Sequence, residues 1–226
     1  MAMAGAAFAQ GTIAWSTLSP AGITAQYNAN TSPLFGGPGG GTGTFMGTAN
    51  GSFYFELLYN TAFTGTKIAA PSLAALTGGS WVDTGLEGAN STSSAGKLIP
   101  LAANAAAVVT GWAGGIGVGT TNNIVLVGWS SNLGTSWTAV SSLLSQWATE
   151  GSTVVGTAYF GESNTGFIVP NTSSTGATLF AAASNANGTP ILSLNTQLYA
   201  LPIPEPATFA LAGLGGLSLL LFRRRK

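Results

Sequence analysis

The sequence predicts an all-β fold, a β-sandwich of jelly-roll-like type with one short helix, followed by a C-terminal transmembrane helix. Three observations carry that expectation. Short apolar runs recur between clusters of Gly, Asn, Ser and Pro, the alternation of strands and turns expected of a sandwich. One stretch, around Trp137 to Trp147, instead repeats its large apolar residues at helical spacing. Near the C-terminal end, Ala207 to Phe222 is an apolar run of 16 residues interrupted only by Thr208 and Ser218.

Taken in order, the expected strands are Thr12 to Trp15, Ile23 to Tyr27, Ser52 to Tyr59, Trp81 to Thr84, Ala105 to Gly111, Ile124 to Trp129, Val154 to Phe160, Gly166 to Val169, Thr178 to Ala182 and Thr196 to Leu201. Between the second and third, six of the eight residues from Gly36 to Gly43 are Gly, which reads as a flexible loop or hairpin tip. The helix is expected through Trp137, Val140, Leu143, Leu144 and Trp147. Thr135 or Ser136 stands before it as N-cap, and Gly151 follows Glu150 as a stop. Burial should gather Trp129, Trp137, Val140, Leu144 and Trp147 into one cluster, with the helix closing an end of the sandwich.

The body from Gln10 to Ile203 is long enough for one domain with a substantial core. Its charges are Lys67 and Lys97 against Glu56, Asp83, Glu87, Glu150 and Glu162; every other cation lies in the tail. Two Lys and no Arg cannot neutralise a run of phosphates, so nucleic acid is excluded as a partner. Cysteine is absent, and stability must come from burial and hydrogen bonds rather than disulfides.

The same composition removes most chemistry. With no His and no Cys, Ser-His-Asp triads, Cys-His dyads, thiolate zinc and imidazole metal sites cannot form. Glycoside hydrolysis needs only two carboxylates, so a pair drawn from the five acids of the body stays open. Glu56 lies in a strand pattern on the same side as Tyr54 and Leu58, and Glu150 reads as a solvated helix-end charge. Asp83 and Glu87 flank a Gly turn that lacks the Asp/Asn density of a calcium loop, so they read as solvated turn residues. Gly111 to Gly119 has neither dinucleotide-binding nor phosphate-loop spacing and reads as a turn. Among the six Trp, Trp81 and Trp112 neighbour Gly-rich loops and are the candidates for a sugar-stacking platform. No cofactor and no metal site are expected.

The tail is ordered differently from the body. Pro204-Glu205-Pro206 precedes the apolar run, and Arg223, Arg224, Arg225 and Lys226 follow it directly. At ~1.5 Å per helical residue the run spans about 24 Å, short for a ~30 Å hydrocarbon core. Four cations after a short span hold that end on the cytoplasmic side, which places the body outside. Two prolines keep the triplet extended and accessible to a protease. In this arrangement the chain resembles the PEP-CTERM proteins of bacteria, whose tripartite C-terminal signal is read by the membrane enzyme exosortase. The resemblance implies cutting near Pro204 to Pro206 and passage of the body to the envelope or the extracellular polymer.

Met1 to Ala9 is small and apolar and ends Ala7-Phe8-Ala9, the pattern before a signal-peptidase site, so it reads as the remnant of a signal peptide whose start lies upstream. The expected organisation is therefore residues 1–9 as leader remnant, 10–203 as sandwich body and 204–226 as sorting signal. Two functional classes follow. The first is a non-catalytic exported protein of the cell surface or extracellular matrix, with exosortase and, transiently, the inner membrane as partners. The alternative is a carbohydrate-binding module or two-carboxylate glycosidase acting on extracellular polysaccharide.

Overall fold

The structure, a computed structural model, describes residues 12–14, 24–49, 52–101, 106–108, 121–170, 177–180, 184, 188–189, 191 and 195–203. The expectations placed on Met1 to Ala9, Trp15, Trp112, Gly111 to Gly119 and the tail from Pro204 to Lys226 lie outside the described residues.

The body is mostly β, as expected. In chain order the strands are β1 (Thr12–Ala14), β2 (Thr24–Thr31), β3 (Thr44–Phe45), β4 (Phe53–Asn60), β5 (Val82–Asn90), β6 (Leu98–Pro100) and β7 (Ala106–Val108). They continue with β8 (Asn122–Ser130), β9 (Tyr159–Glu162), β10 (Gly166–Ile168), β11 (Ala177–Thr178), β12 (Gly188–Thr189) and β13 (Asn195–Ala200). The helices are α1 (Leu73–Thr77), α2 (Trp137–Ser145) and α3 (Trp147–Glu150).

The layer arrangement differs from the expected sandwich. Ten strands form a single open sheet whose spine runs β3-β2-β13-β9-β8-β4-β5-β6, with β10 joined to β8 and β12 to β10; β11, β1 and β7 make a small separate sheet. The long sheet curls until its two ends meet. The Ala25 N–H donates to the Gly96 carbonyl at 2.7 Å and the Gly96 N–H to the Met46 carbonyl at 2.7 Å, which ties the turn before β6 to the β2–β3 edge. Parallel pairing of β2 with β13 brings an early and a late strand of the body together next to the β3 edge of this sheet.

Alternation along the strands explains why one sheet suffices. On β4, Phe55, Leu57 and Tyr59 point into the curl with Ile124 and Leu126 of β8, Leu86, Leu98, Ile168 and Leu198, forming one buried cluster. On the opposite face Leu58, Val125, Val127, Trp129 and Phe160 pack under the helices with Leu76, Trp137, Val140, Leu144 and Trp147. All nine residues of β8 are buried, so it needs cover on both faces: the curled sheet supplies one and the helices the other. The expected cluster of Trp129, Trp137, Val140, Leu144 and Trp147 is present, and its helix lies over the sheet face rather than across an end. That helix is also broken, with Gln146 separating α2 from α3, and Ser136 at the N-cap makes no side-chain capping bond.

Val154 to Phe160 was expected as one strand. Only its end is extended into the ladder, because Gly151–Thr153 forms a 3-10 turn and pairing begins at Tyr159. Gly128 on β8 has a packing reason: a Cβ there would sit 2.4 Å from the Phe55 ring, so only hydrogen lets that ring lie flat against the strand.

Candidate functional site

The end of the body is held with unusual care. The Trp147 indole Nε1 donates to the Pro202 carbonyl at 2.6 Å, and the Leu201 N–H donates to the Ala158 carbonyl at 2.8 Å. Trp147 itself is 6 % exposed, braced edge-on by Phe35 at 6.2 Å between ring centroids. Gly151 lies directly over its indole, where a Cβ would come within 2.6 Å of the ring atoms. Two apolar grooves flank this point. One of about 480 Å³ is lined by Phe35, Leu73, Leu144, Trp147, Ala148 and Pro202. The other, of about 240 Å³, includes Trp147, Val154, Ala158, Leu201 and Ile203. Residue 203 is the last described one, and the triplet Pro204-Glu205-Pro206 follows it at once.

The helix-covered face of the sheet also carries a row of acids. Glu56 on β4 stands opposite Glu87 on β5, where the ladder shifts register between Glu56 and Leu58. On its other side Glu56 pairs with Val127, which in turn pairs with Glu162 on β9. Thr84 stitches the irregular segment by donating its hydroxyl to the Leu57 carbonyl at 2.7 Å, and the Asp83 carboxylate accepts the Gly85 N–H at 2.7 Å. Glu56 is fully buried, neither of its carboxylate oxygens makes a well-formed hydrogen bond, and the Leu86 backbone N–H opposes the rise in its pKa only weakly. Burial pushes its carboxyl up to about 10, assisted by a hydrogen bond to the adjacent Asp83 carboxylate and by the negative charges of Asp83 and Glu87. Burial beside two other carboxylates favours the neutral, protonated form of Glu56.

Glu162 lies at the edge of the same row, on the wall of a cleft of about 190 Å³ lined also by Ser32, Leu34, Ala70, Asn164, Gln197 and Tyr199. Its Oε2 is buried without a partner, and burial pushes its carboxyl up to about 8. The far wall is a polar network that also bonds to the Gly-rich loop. The Tyr199 hydroxyl donates to Gln197 at 2.7 Å and accepts the Gly40 N–H at 3.3 Å. Asn28 and Asn30 donate to the Gly40 carbonyl at 2.9 and 3.0 Å. The loop joins β2 to the antiparallel β3, so the hairpin part of its reading holds. Chemically the cleft offers a carboxyl favoured in its neutral form, amides and a phenol, and among the described residues no cation lines it.

Of the sequence candidates, Glu56, Asp83 and Glu87 are brought together across β4 and β5, whereas Trp81 and Glu150 stand apart from them. Trp81 is 4 % exposed in the cluster beneath the helices, so its ring is spent on the core rather than presented as a sugar platform, and its intended companion Trp112 lies outside the described residues. Asp83 is exposed and Glu87 half-buried at the β5 irregularity, while Glu150 is an exposed helix-end residue. Among the described residues no three acidic side chains converge as a metal site. The composition of the sequence named Glu56 and Glu162 as acids but gave no sign of their burial. The signal that could have found it is Glu56 falling in a strand whose neighbours Phe55, Leu57 and Leu58 are all apolar.

Residues 202–226 match the family model described as the PEP-CTERM protein-sorting motif. The chain thus carries at its C-terminal end the signal of exported proteins that bear a membrane-anchoring sorting segment. The match begins at Pro202, the residue whose carbonyl Trp147 holds. No curated protein and no solved structure matches the chain at a significant level.

Proposed function

We propose that this is an exported cell-surface or extracellular-matrix protein, cut by exosortase near Pro204 to Pro206, whose body is non-catalytic. The observation that supports it is the sorting motif over residues 202–226, joined without a linker to a folded body that grips the chain at Pro202. The apolar run inserts transiently in the inner membrane, Arg223 to Lys226 stay on the cytoplasmic side, and the body faces outward.

Two features favour a non-catalytic body. A two-carboxylate glycosidase needs an acid and an ionised carboxylate flanking an open cleft. Here Glu56 has no access to solvent, and both it and Glu162 hold their protons at neutral pH. Val127 separates them in the row.

The test is genetic. In a host that possesses exosortase, the body should leave the membrane fraction, and Glu205→Ala with Pro204→Ala should retain it there at full length. Release of the double variant to the same extent as the parent would overturn the reading.

A further inference from the structure

Where the chain leaves the body is set by the Trp147 clasp, and what surrounds that point is apolar. Ile203 is 75 % exposed and Val155 88 %, the two most exposed large hydrophobic residues among those described. Single exposed aliphatics are ordinary on any protein surface. These two are not scattered: Val154 and Gly156, on either side of Val155, line the same groove as Leu201 and Ile203. The larger groove shares Trp147 with it and also includes Pro202. Among the described residues neither groove is lined by a Lys or Arg, so the contact rests on apolar side chains rather than on attraction to anionic headgroups.

Chain length fixes what this surface meets. Between Ile203 and the first residue of the apolar run, Ala207, stand only Pro204, Glu205 and Pro206. Fully extended, those four steps reach ~14 Å at about 3.5 Å each. The headgroup layer outside the hydrocarbon core is itself about 5 to 7 Å thick. Insertion of the run therefore keeps Ile203 close to the headgroups whatever orientation the triplet takes, and the clasp at Pro202 prevents the body from paying out more chain.

We propose that in the uncut protein the face formed by Val155, Ile203 and the two grooves beside Trp147 rests on the bilayer surface, with the headgroup and upper acyl region as its partner. This inference rests on the membrane-inserted sorting segment proposed above. It makes the body a second, reversible point of contact, of the interfacial kind in which apolar side chains dip into the boundary layer. The contact is lost when the tail is cut, since nothing then holds the face against lipid.

The chain lacks cysteine, so single substitutions give clean labelling sites. Full-length protein carrying a nitroxide at Val155→Cys, Ala212→Cys or Thr92→Cys is reconstituted in neutral phosphatidylcholine vesicles, and accessibility to oxygen and to a water-soluble nickel complex is read for each. Thr92 is exposed in the turn between β5 and β6, at the end of the sheet away from the tail exit. The expected result is burial at 212, a severalfold loss of nickel accessibility at 155, and full accessibility at 92. Burial at 212 with position 155 as accessible as 92 would overturn the contact surface and leave the sorting reading intact. Full accessibility at 212 would overturn the inserted tail and, with it, the surface. Adding anionic lipid should leave the value at 155 unchanged, and a large increase in burial on adding it would contradict the apolar character of the contact.

Discussion

The Trp147 indole and the Pro202 carbonyl, 2.6 Å apart, join the four-residue helix α3 to the first residue of the sorting motif. The bond separates two parts of one side chain's role: the ring fills the core beneath the helices, and the N–H holds the departing chain. Trp147→Phe should keep most of the packing and lose the bond, lowering stability by about 0.5–1.5 kcal/mol. Trp147→Ala should lower it by about 3–5 kcal/mol, because it also empties the space under Gly151 and beside Phe35. Urea unfolding of the two variants separates these contributions, and equal losses would mean that the bond carries the whole effect.

Stability should fall as pH rises, the reverse of ordinary acid denaturation. Glu56 is raised from 4.5 to about 10 and Glu162 from 4.5 to about 8, both by burial first. Above 4.5 the unfolded chain releases these protons while the folded chain keeps them, so unfolding releases protons and higher pH favours it. The loss should run from about pH 4.5 to 8 with both groups contributing and continue toward 10 with Glu56 alone. Each group contributes at most about 1.4 kcal/mol per pH unit, Glu162 less because water partly screens it. Urea midpoints taken between about pH 5 and 8 should decline, and Glu56→Gln should flatten the decline and raise stability near neutrality. A midpoint that rises over this range would contradict a protonated Glu56.

Asp83 should tune its neighbour. Asp83→Asn retains an oxygen for the Gly85 N–H but removes a negative charge beside Glu56, so the Glu56 carboxyl should titrate at lower pH. Carbon-detected NMR of the labelled side chain reads this directly. No movement of the Glu56 midpoint would show that Asp83 does not act on it.

Gly161 on β9 permits close approach to β13. A Cβ there would lie 2.2 Å from the Gln197 carbonyl oxygen, a backbone atom that cannot swing aside. Gly161→Ala should therefore cost at least about 1–3 kcal/mol, read from the shift in the urea midpoint. The exposed Gly65 tolerates a Cβ in open space, and although its φ of 98° strains any side chain, Gly65→Ala should be the milder of the two.

Much of this body can be read from its residues. The run Ile124 to Trp129 reads as a strand because Ile124, Val125, Leu126 and Val127 are β-branched or aliphatic between turn signals, and the observed strand extends it to Asn122–Ser130; Trp137, Val140 and Leu144 announce their helix by spacing. Sheet closure could not be read. It depends on a backbone bond from Ala25 to Gly96, and backbone bonds leave no mark on side-chain periodicity. Strand β3 is too short to show a period, and Val154 has strand-like chemistry but caps a 3-10 turn instead. Of the candidate sites, the sorting signal was readable because it is linear, whereas the burial of Glu56 and Glu162 arises only when β5, β4, β8 and β9 align.

Removal of the tail is tested most directly by the mass of the exported protein. In a host with exosortase, mass spectrometry of the extracellular form should show a C-terminus within or just after Pro204 to Pro206, with Ala207 to Lys226 absent. Peptides from Leu217 to Lys226 recovered at full abundance in that extracellular pool would contradict it.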